Sequence, residues 1–258
     1  MEWCLQDEKN QLGSFIMVTP TLRALSEISG NPFPVFFSTP KISQLFQKCP
    51  FIRILDNKPT SPPLFVAKRA HNRKNKESNY CCFFRQYAQS RGYDKPMPLP
   101  YVDECHSDFD PGDKKHIAVF QGCLSNHLID KKCIESSVMS YVLKRLNKKD
   151  IIPVILGSER DKKFWREIDL KNSVDLTGKE SLIECVGTLS KCDAFISNDT
   201  GLYHVAGALG LRGLVMWYKT PFHDNKAPCK RISHKICSNR KKHYKVFSRV
   251  IDNFLEEI

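Results

Sequence analysis

The sequence contains no apolar run that approaches the roughly 18 residues needed to span a membrane as a helix. Its first residues, MEWCLQDEKNQ, are polar and acidic, without the apolar core of a signal peptide. No G-x-G-x-x-G follows any apolar run, so the usual fingerprint of a nicotinamide-dependent dehydrogenase is missing. These absences predict a cytoplasmic protein and disfavour a dehydrogenase.

The eleven cysteines lack the regular spacing of a disulfide scaffold, and their number is odd. Cys185 and Cys192 occupy apolar positions, where we expect small buried side chains. No standard zinc spacing occurs in the late group formed by His223, Cys229, His234, Cys237 and His243. The sequence therefore predicts no metal site.

Acidic residues are fewer than basic ones, and the formal net charge is +12. The basic residues concentrate in 68–76 and 226–245. Such a surplus favours a polyanionic partner: a phosphorylated glycan, an anionic lipid surface or nucleic acid. A solvated basic face without a dedicated ligand is the alternative. No RNA-binding or helix-turn-helix pattern accompanies the charge.

Strand and helix patterns alternate clearly in the second half of the chain. Short apolar runs predict strands at 117–120, 151–156, 174–176, 194–197 and 213–217. Helical patterns lie between them, at 134–147, 161–169, 181–192 and 201–211. This alternation predicts a doubly wound parallel sheet, in which ligands bind at the carboxyl ends of the strands.

The first half is less regular. It predicts a helix that continues the apolar stripe begun near Phe15, strands at 34–40 and 51–55, and helices at 41–48 and 78–91. The proline-rich, acidic stretch 97–110 is typical of a linker. We therefore predict three parts: domain 1–110, domain 111–243, and a final helix, 244–258, that packs back on the first domain.

The segment SNDTGLYH, residues 197–204, places an acidic residue, a hydroxyl and a glycine where a strand ends and a helix begins. Such a junction directs free backbone N–H groups and the positive end of a helix dipole into one crevice. A phosphate or diphosphate is the ligand that fits. Thr200, Gly201 and Leu202 are suited to donate N–H groups, and a glycine permits close approach. A plain N-cap is the structural alternative.

Several blocks of the sequence resemble glycosyltransferase family 9, the heptosyltransferase-like enzymes of bacterial lipopolysaccharide synthesis. They are LGSFIMVTPTLRAL, IAVFQG, VILGSERD, DLTGKESL, LSKCDAFISNDTGLYHVAGALG and VMWYKTP, in the family's order. The resemblance implies a GT-B-like α/β fold, in which two Rossmann-like domains face each other across a cleft. At 258 residues the chain is short for the family, which implies a trimmed acceptor domain.

The resemblance also implies the activity. Family members transfer a sugar, typically a heptose from its ADP form, to a glycan-type acceptor without a bound metal or cofactor. The partners implied are a nucleotide-sugar donor and an anionic glycan or lipid-linked acceptor, with peripheral contact at the inner face of a membrane. An acceptor of nucleic acid is the alternative that the net charge leaves open.

On the donor side, the resemblance implies that Asp199 contacts the transferring sugar. His204 lies one turn into the helix, where it would reach the phosphates; a packed or capped histidine is the alternative. A basic residue from the loop QGCLSNHLIDKKC, Lys131 or Lys132, would also bind phosphate, with a solvated lysine pair as the alternative.

Other positions follow from the same resemblance. Ser158 and Glu159 would hold the nucleoside, with the carboxylate on ribose hydroxyls, and Gly178 and Lys179 would lie near the base. The late pair Thr220 and Pro221 would shape the cleft. On the acceptor side, the resemblance implies roles for Gly13 and Thr19.

The chain departs from the family pattern at the general base. The family has an aspartate directly after the glycine of its N-terminal loop, and this sequence has Ser14 there. A serine hydroxyl is a poor base at neutral pH. Three interpretations stay open: a reaction that needs little base, a binding protein without transfer activity, or a substitute carboxylate among Asp7, Glu8 and Asp103.

Overall fold

The computed structural model describes residues 2–6, 12–67, 77–122, 132–219 and 222–258. The chain divides into two compact units. The first comprises 1–104 with the short segments 207–209 and 223–229, and the second comprises 105–206, 210–222 and 230–258. The division after Glu104 lies near the predicted boundary at 110, whereas the two late segments of the first unit were not predicted.

The first unit is built on a four-stranded parallel sheet of order β3-β2-β1-β4. Its strands are β1 (Cys4–Gln6), β2 (Phe33–Phe37), β3 (Ile52–Leu55) and β4 (Phe65–Val66). Its helices are α1 (Leu12–Ile16), α2 (Thr19–Ser29), α3 (Pro40–Ser43) and α4 (Asn79–Tyr87), with 3-10 helices at Gln44–Phe46 and Gln89–Arg91. The sequence predicted β2 and β3 but missed β1 and β4, which are too short for a period to show.

The second unit contains a six-stranded parallel sheet of order β10-β9-β8-β5-β6-β7. Its strands are β5 (His116–Phe120), β6 (Ile152–Ile155), β7 (Val174–Asp175), β8 (Ala194–Ser197), β9 (Arg212–Trp217) and β10 (Ile232–Ile236). The first five confirm the predicted strands. β10 was missed because ISHKI is half polar and resembles a loop.

The helices of the second half are α5 (Ser136–Lys148), α6 (Leu182–Ser190), α7 (Gly201–Ala208), α8 (Phe222–Asn225) and α9 (His243–Glu256). Most of α8 belongs to the first unit. The predicted helix 161–169 is instead a 3-10 helix, Glu159–Phe164. None of the described helices is long and apolar enough to cross a membrane.

Strands β5 and β8 are buried along their whole length, which explains their continuous apolar sequence. One core cluster contains Ile117 and Ile196 of the sheet together with Val142 of α5 and Phe247 and Ile251 of α9. This packing fixes β8. Because only three residues separate the end of β8 from Gly201, it also sets the position of the start of α7.

The final helix differs from its prediction. Helix α9 belongs to the second unit and packs on α5 and β9, not on the first domain as predicted. Asp252 of α9 accepts hydrogen bonds from the Tyr141 hydroxyl, at 2.8 Å, and from Arg145 Nε, at 2.6 Å. The sequence shows that the helix has an apolar face, but not which of two cores will cover that face.

Candidate functional site

The strand order creates a switch point between β5 and β8. From β5 the chain runs to β6 and β7 on one side and then returns to β8 on the other. In doubly wound sheets, ligands bind in the crevice at the carboxyl ends of the two strands that flank such a point. The segment 197–204 ends β8 and begins α7, so it lies at this crevice.

Asn198 joins the ends of the two strands. Its Oδ1 accepts from the Gly122 N–H at 3.3 Å, and its Nδ2 donates to the Gly122 carbonyl at 3.2 Å and to the Lys132 carbonyl at 3.1 Å. The side chain is fully buried. Sequence reasoning missed Asn198; the available signal was an amide directly after a buried strand, in a place where every polar atom must find a partner.

A second buried amide supports the same loop. Gln121, directly after β5, accepts a hydrogen bond from the Ile134 N–H at 3.1 Å through its Oε1. Asn198 and Gln121 together hold both ends of the loop between β5 and α5. Gln121, like Asn198, was absent from the prediction.

Lys132 forms an ion pair with Asp199. Its Nζ lies 2.7 Å from Asp199 Oδ2 and 3.3 Å from the Asp199 carbonyl oxygen. Asp199 is only 4% exposed, and the Lys132 side chain is 21% exposed. A buried carboxylate needs such a partner, because desolvation of an unpaired charge is costly. Of the two lysines predicted for this loop, Lys132 lies at the junction, and Lys131 lies outside the described residues.

The first residues of α7 are accessible. Thr200, Gly201 and Leu202 are each partly exposed, and the N–H groups of a first helical turn have no partner within their own helix. The Thr200 hydroxyl accepts from the Tyr203 N–H at 3.4 Å, so this residue also caps the helix. The hydroxyl satisfies only one of the N–H groups, so the cap leaves the others available for the predicted anion.

His204 is a buried, neutral histidine. It is 2% exposed, and burial lowers its pKa to about 4, although the nearby Asp199 carboxylate acts in the opposite direction. Its ring lies 4.5 Å from that of Tyr203, centroid to centroid. The packed alternative therefore describes His204 better than a cation that reaches the phosphates.

Tyr203 links the start of α7 to the neighbouring strands. Its ring packs edge-on against Trp217 of β9 and His234 of β10, at centroid distances of 5.8 and 6.0 Å. The indole of Trp217 donates to His234 Nδ1 at 3.1 Å. This aromatic cluster lies behind the helix start and restrains it.

The carboxyl end of β6 is organised by Ser158 and Asp161. Asp161 Oδ2 accepts from the Ser158 N–H at 2.8 Å and from its hydroxyl at 2.7 Å. A Cβ atom built on Gly122 would lie 2.4 Å from Asp161 Oδ1, so this carboxylate also reaches the end of β5. The Ser158 hydroxyl therefore takes part in the capping of the 3-10 helix. Asp161, which was not predicted, lies beside Gly122 at the switch point.

Glu159, Gly178 and Lys179 form the next part of this edge. Glu159 is 71% exposed and pairs with Lys162 at 2.7 Å. Gly178 has φ +70°, and a Cβ there would lie 2.4 Å from Glu159 Oε2. Lys179 Nζ donates back to the Asp175 carbonyl at 2.6 Å. The exposed Glu159 carboxylate is therefore held beside the loop that follows β7.

The predicted acceptor residues lie in the first unit. Ser14 is a partly exposed residue of α1, and the buried Gly13 accepts from the Met17 N–H at 3.1 Å. Thr19 is fully buried; its hydroxyl donates to the Ile16 carbonyl at 2.8 Å and accepts from the Tyr101 N–H at 3.0 Å. These two bonds give Thr19 a structural role, and the acceptor contact expected of it stays a prediction.

Asp103 is the only suggested substitute base among the described residues, since Asp7 and Glu8 lie outside them. It is 4% exposed and accepts from the Lys48 N–H at 2.7 Å. Burial, together with a hydrogen bond to Asp103, raises the pKa of Tyr101 to about 12. Asp103 therefore stabilises the fold of the first unit and is poorly placed to take a proton from an acceptor.

The late histidines and cysteines have other contacts. Within the described part of the chain, no three His, Cys, Asp or Glu side chains cluster as metal ligands. His234 bonds to the Trp217 indole, and His243 lies 2.9 Å from the Cys237 carbonyl through its Nε2. Thr220 and Pro221 lie outside the described residues.

The sequence matches the model of glycosyltransferase family 9 (heptosyltransferase) over residues 65–252, which is more than half of the chain. No curated protein sequence is detectably similar to it.

Solved structures of family 9 glycosyltransferases and heptosyltransferases match the whole chain. A family 9 glycosyltransferase from Veillonella parvula DSM 2008 has a TM-score of 0.76 at 13% identity, over 100% of this chain and 97% of that one. E. coli ADP-heptose lps heptosyltransferase II has a TM-score of 0.78 at 14% identity, over 100% and 99%. E. coli heptosyltransferase WaaC with ADP has a TM-score of 0.71 at 13% identity, over 100% and 99%. The predicted GT-B-like α/β fold is confirmed by these likenesses.

Proposed function

Because this chain belongs to glycosyltransferase family 9, we propose that it transfers a heptose or a related sugar from a nucleoside diphosphate to a glycan-type acceptor. The observation that carries the proposal is the Lys132–Asp199 ion pair beside the partly exposed residues 200–202 at the start of α7. It combines a cation, a carboxylate and backbone N–H groups at the switch point of a parallel sheet.

ADP-heptose is the donor that we propose. The E. coli WaaC structure contains ADP, and a structure of the heptosyltransferase TibC, with a TM-score of 0.67, contains ADP-D-beta-D-heptose. In this chain, the diphosphate would accept hydrogen bonds from the N–H groups of Thr200, Gly201 and Leu202 and from the Lys132 ammonium. Bonds from charged donors to phosphate are stronger than neutral ones, and the helix start adds its dipole.

The proposed reaction is a single displacement at the anomeric carbon. The acceptor hydroxyl oxygen forms a bond to this carbon, while the bond from the carbon to the diphosphate oxygen breaks and its electrons go to the diphosphate. Groups fixed in advance around the leaving oxygen stabilise the charge that develops there. Lys132 and the α7 N–H groups would have this role, and Asp199 would orient the sugar through its hydroxyls.

The hydroxyl proton must leave, and Ser14 is a poor base for it. We propose that the reaction has a dissociative transition state, in which the attacking hydroxyl becomes acidic late, needs little base and passes its proton to solvent water. Metal independence belongs to the same proposal, because the positive charge on the diphosphate would then come from the protein alone.

The nucleoside would bind along the edge formed by β6 and β7. The Glu159 carboxylate is exposed and does not cap a helix, so it could accept hydrogen bonds from ribose hydroxyls. Gly178, with its positive φ, permits the close approach of Glu159, and Lys179 would lie near the base. Ser158 would support this arrangement through its bonds with Asp161.

We further propose a lipid-linked, anionic glycan as acceptor and a cytoplasmic protein that works at the inner face of a membrane. The net charge of +12 supports an anionic partner. A role in lipopolysaccharide synthesis follows from this choice of acceptor.

Calorimetry with ADP, together with transfer from ADP-heptose to lipopolysaccharide core acceptors, tests the proposal. Binding of ADP by the wild-type chain, weakened at least tenfold in Lys132→Ala, is the expected result. Lys191→Ala is the matched control, since Lys191 lies on the far end of α6 and donates to Ser107 and Phe109 carbonyls. If no adenine nucleotide or nucleotide sugar binds, the donor assignment is wrong.

A protein that binds the nucleotide sugar without transfer is the second candidate, and Ser14 in the position of the family base favours it. The same experiment separates the two. Binding of ADP-heptose with neither transfer nor donor hydrolysis would identify the inactive protein.

A further inference from the structure

The stretch between Asp224 and Asp252 contains many lysines and arginines and neither aspartate nor glutamate. It includes β10, the 3-10 helix Arg240–Lys242 and the first turns of α9. From residue 230 onward it belongs to the second unit. The proposed chemistry at Asp199 and Lys132 does not use this charge.

Two apolar side chains are exposed in the same stretch. Ile236, the last residue of β10, is 47% exposed, and Tyr244, in the first turn of α9, is 50% exposed. His243 Nε2 lies 2.9 Å from the Cys237 carbonyl. Because Ile236 precedes Cys237 and Tyr244 follows His243, this contact brings the two exposed side chains to one corner of the unit.

Lysines surround them. Lys241, Lys242 and Lys245 are exposed at the start of α9, and Lys235 is partly exposed in β10. We name the basic corner by six residues: Lys235, Ile236, Lys241, Lys242, Tyr244 and Lys245. Tyr244 packs edge-on against Tyr141, with a centroid distance of 5.5 Å, and therefore has a defined position.

The lysines at the amino end of α9 do not stabilise the helix. The amino end of a helix carries partial positive charge, so acidic side chains stabilise it and lysines do not. Helix α9 has no acidic residue in its first turn. Glu135 Oε1 is turned toward His243 Nδ1, at 3.9 Å, and Asp252 bonds with Tyr141 and Arg145. These two carboxylates are thus directed at other partners.

The basic corner lies at the edge of the sheet that holds the proposed donor site. All six strands are parallel, so Ile236 and Ser197, the last residues of β10 and β8, are both at the carboxyl end of the sheet. Neighbouring strands are about 4.8 Å apart, and Ile236 lies two residues beyond the level of Ser197 in the register, which places the two residues about 12 Å from each other.

We propose that the basic corner docks the second unit on an anionic membrane surface. Lysine ammonium groups would bind lipid phosphates, while Ile236 and Tyr244 would enter the headgroup layer. The exposed isoleucine favours lipid over nucleic acid, because an aliphatic side chain gains little from contact with a phosphate backbone. The proposal rests on the proposed function in one respect: a lipid-linked acceptor would then be presented close to the donor.

Sedimentation with vesicles tests the docking directly. The full chain is mixed with vesicles of phosphatidylcholine alone, or with 30 mol% phosphatidylglycerol, at about 0.1 M and 0.5 M salt. We expect binding only to the anionic vesicles, with partitioning weakened at high salt. Each lysine near such a surface contributes about fivefold, so K241E/K242E/K245E should weaken partitioning at least a hundredfold.

The variants separate docking from folding and from net charge. Glutamate at a helix start favours the helix, so K241E/K242E/K245E should fold at least as well as the wild-type chain. The control K148E/R166E/K171E changes the net charge equally at exposed positions outside the basic corner, and should retain most of the binding. Ile236→Ser with Tyr244→Ser should weaken partitioning without changing its salt dependence.

Equal loss of binding in both triple variants, or none in either, would overturn the proposal. Tighter binding of the chain to a DNA duplex than to the anionic vesicles, lost in K241E/K242E/K245E, would assign the surface to nucleic acid instead. Transfer to a soluble, delipidated acceptor should be the same in the wild-type chain and K241E/K242E/K245E. Failure of the proposed activity would appear in that assay, and failure of docking would appear only with vesicles.

Discussion

Lys132 and Asp199, which are distant in the sequence, form an ion pair of 2.7 Å directly before the first turn of α7. The loop after β5 brings the lysine, and the end of β8 brings the aspartate. Because Asp199 is nearly buried, the pair both stabilises the junction and fixes a positive charge beside the N–H groups of the helix.

The first prediction concerns the stability of this pair. Lys132→Met removes the cation from a buried carboxylate and should lower the free energy of unfolding by about 3 kcal/mol. Lys132→Met with Asp199→Asn should recover most of this loss, because no buried charge then lacks its cation. Urea unfolding of the two single variants and the double variant measures the coupling. Strictly additive losses would show that the pair contributes nothing.

The second prediction concerns the donor. Asp199→Asn keeps the size of the side chain but removes its charge, and should lower kcat/KM at least a hundredfold if the carboxylate orients the transferring sugar. Steady-state transfer from ADP-heptose measures it, with a circular dichroism spectrum as the control for folding. A rate equal to that of the wild-type chain would remove Asp199 from the site.

The third prediction follows from His204. Its pKa is about 4 in the folded chain and near its ordinary value of 6.5 when unfolded. The unfolded state therefore binds the proton more readily, so this contribution to stability is complete above pH 6.5 and is lost as the pH falls toward 4. The loss should reach about 3 kcal/mol. The stability of the wild-type chain relative to His204→Gln should fall by about 3 kcal/mol between pH 7 and 4; a constant difference over this range would contradict the burial of a neutral ring.

The fourth prediction compares two glycines with the same backbone conformation. Gly178 and Gly210 both have φ +70°, but a Cβ on Gly178 would lie 2.4 Å from Glu159 Oε2 and 2.9 Å from the backbone Cα of Glu159, and one on Gly210 would meet nothing within 4 Å. Gly210→Ala should cost about 1 kcal/mol from backbone strain alone. Gly178→Ala should cost clearly more in urea unfolding and should also weaken ADP binding, which Gly210→Ala should not.

The fifth prediction tests the missing base. Because we propose a reaction that needs little base, Ser14→Asp should leave the transfer rate nearly unchanged. Ser14→Asn, which has the size of the aspartate but no basic group, is the control and should behave in the same way. A gain of about tenfold in Ser14→Asp alone would show that proton removal limits the reaction and would contradict the proposal.

The sequence was sufficient for the parts of the fold that are buried and regular. Strands β5 and β8 are apolar except for His116 and Ser197 at one end of each. The junction at Thr200 and Gly201 is visible because its polar and glycine residues are consecutive in the sequence. Strand β10 was missed because its polar alternation, with Ser233 and Lys235, lacks the apolar run of a central strand.

The rest of the site depends on contacts between residues far apart in the chain. The role of Asn198 is visible only from its bonds to Gly122 and Lys132. The role of Asp161 is visible only from its bonds to Ser158 and its approach to Gly122. The structural role of Thr19 was missed for the same reason, since its hydroxyl bonds to Tyr101, which no local pattern connects to it. Sequence patterns identify elements and their ends, whereas partners across the fold need coordinates.

The amide of Asn198 has a consequence for how this protein can vary. One side chain holds the backbone of both Gly122 and Lys132, through one accepted and two donated hydrogen bonds. An exchange of this asparagine would therefore release the end of β5 and the backbone of the lysine together. Few other side chains can accept and donate at the same place, so position 198 should tolerate little change.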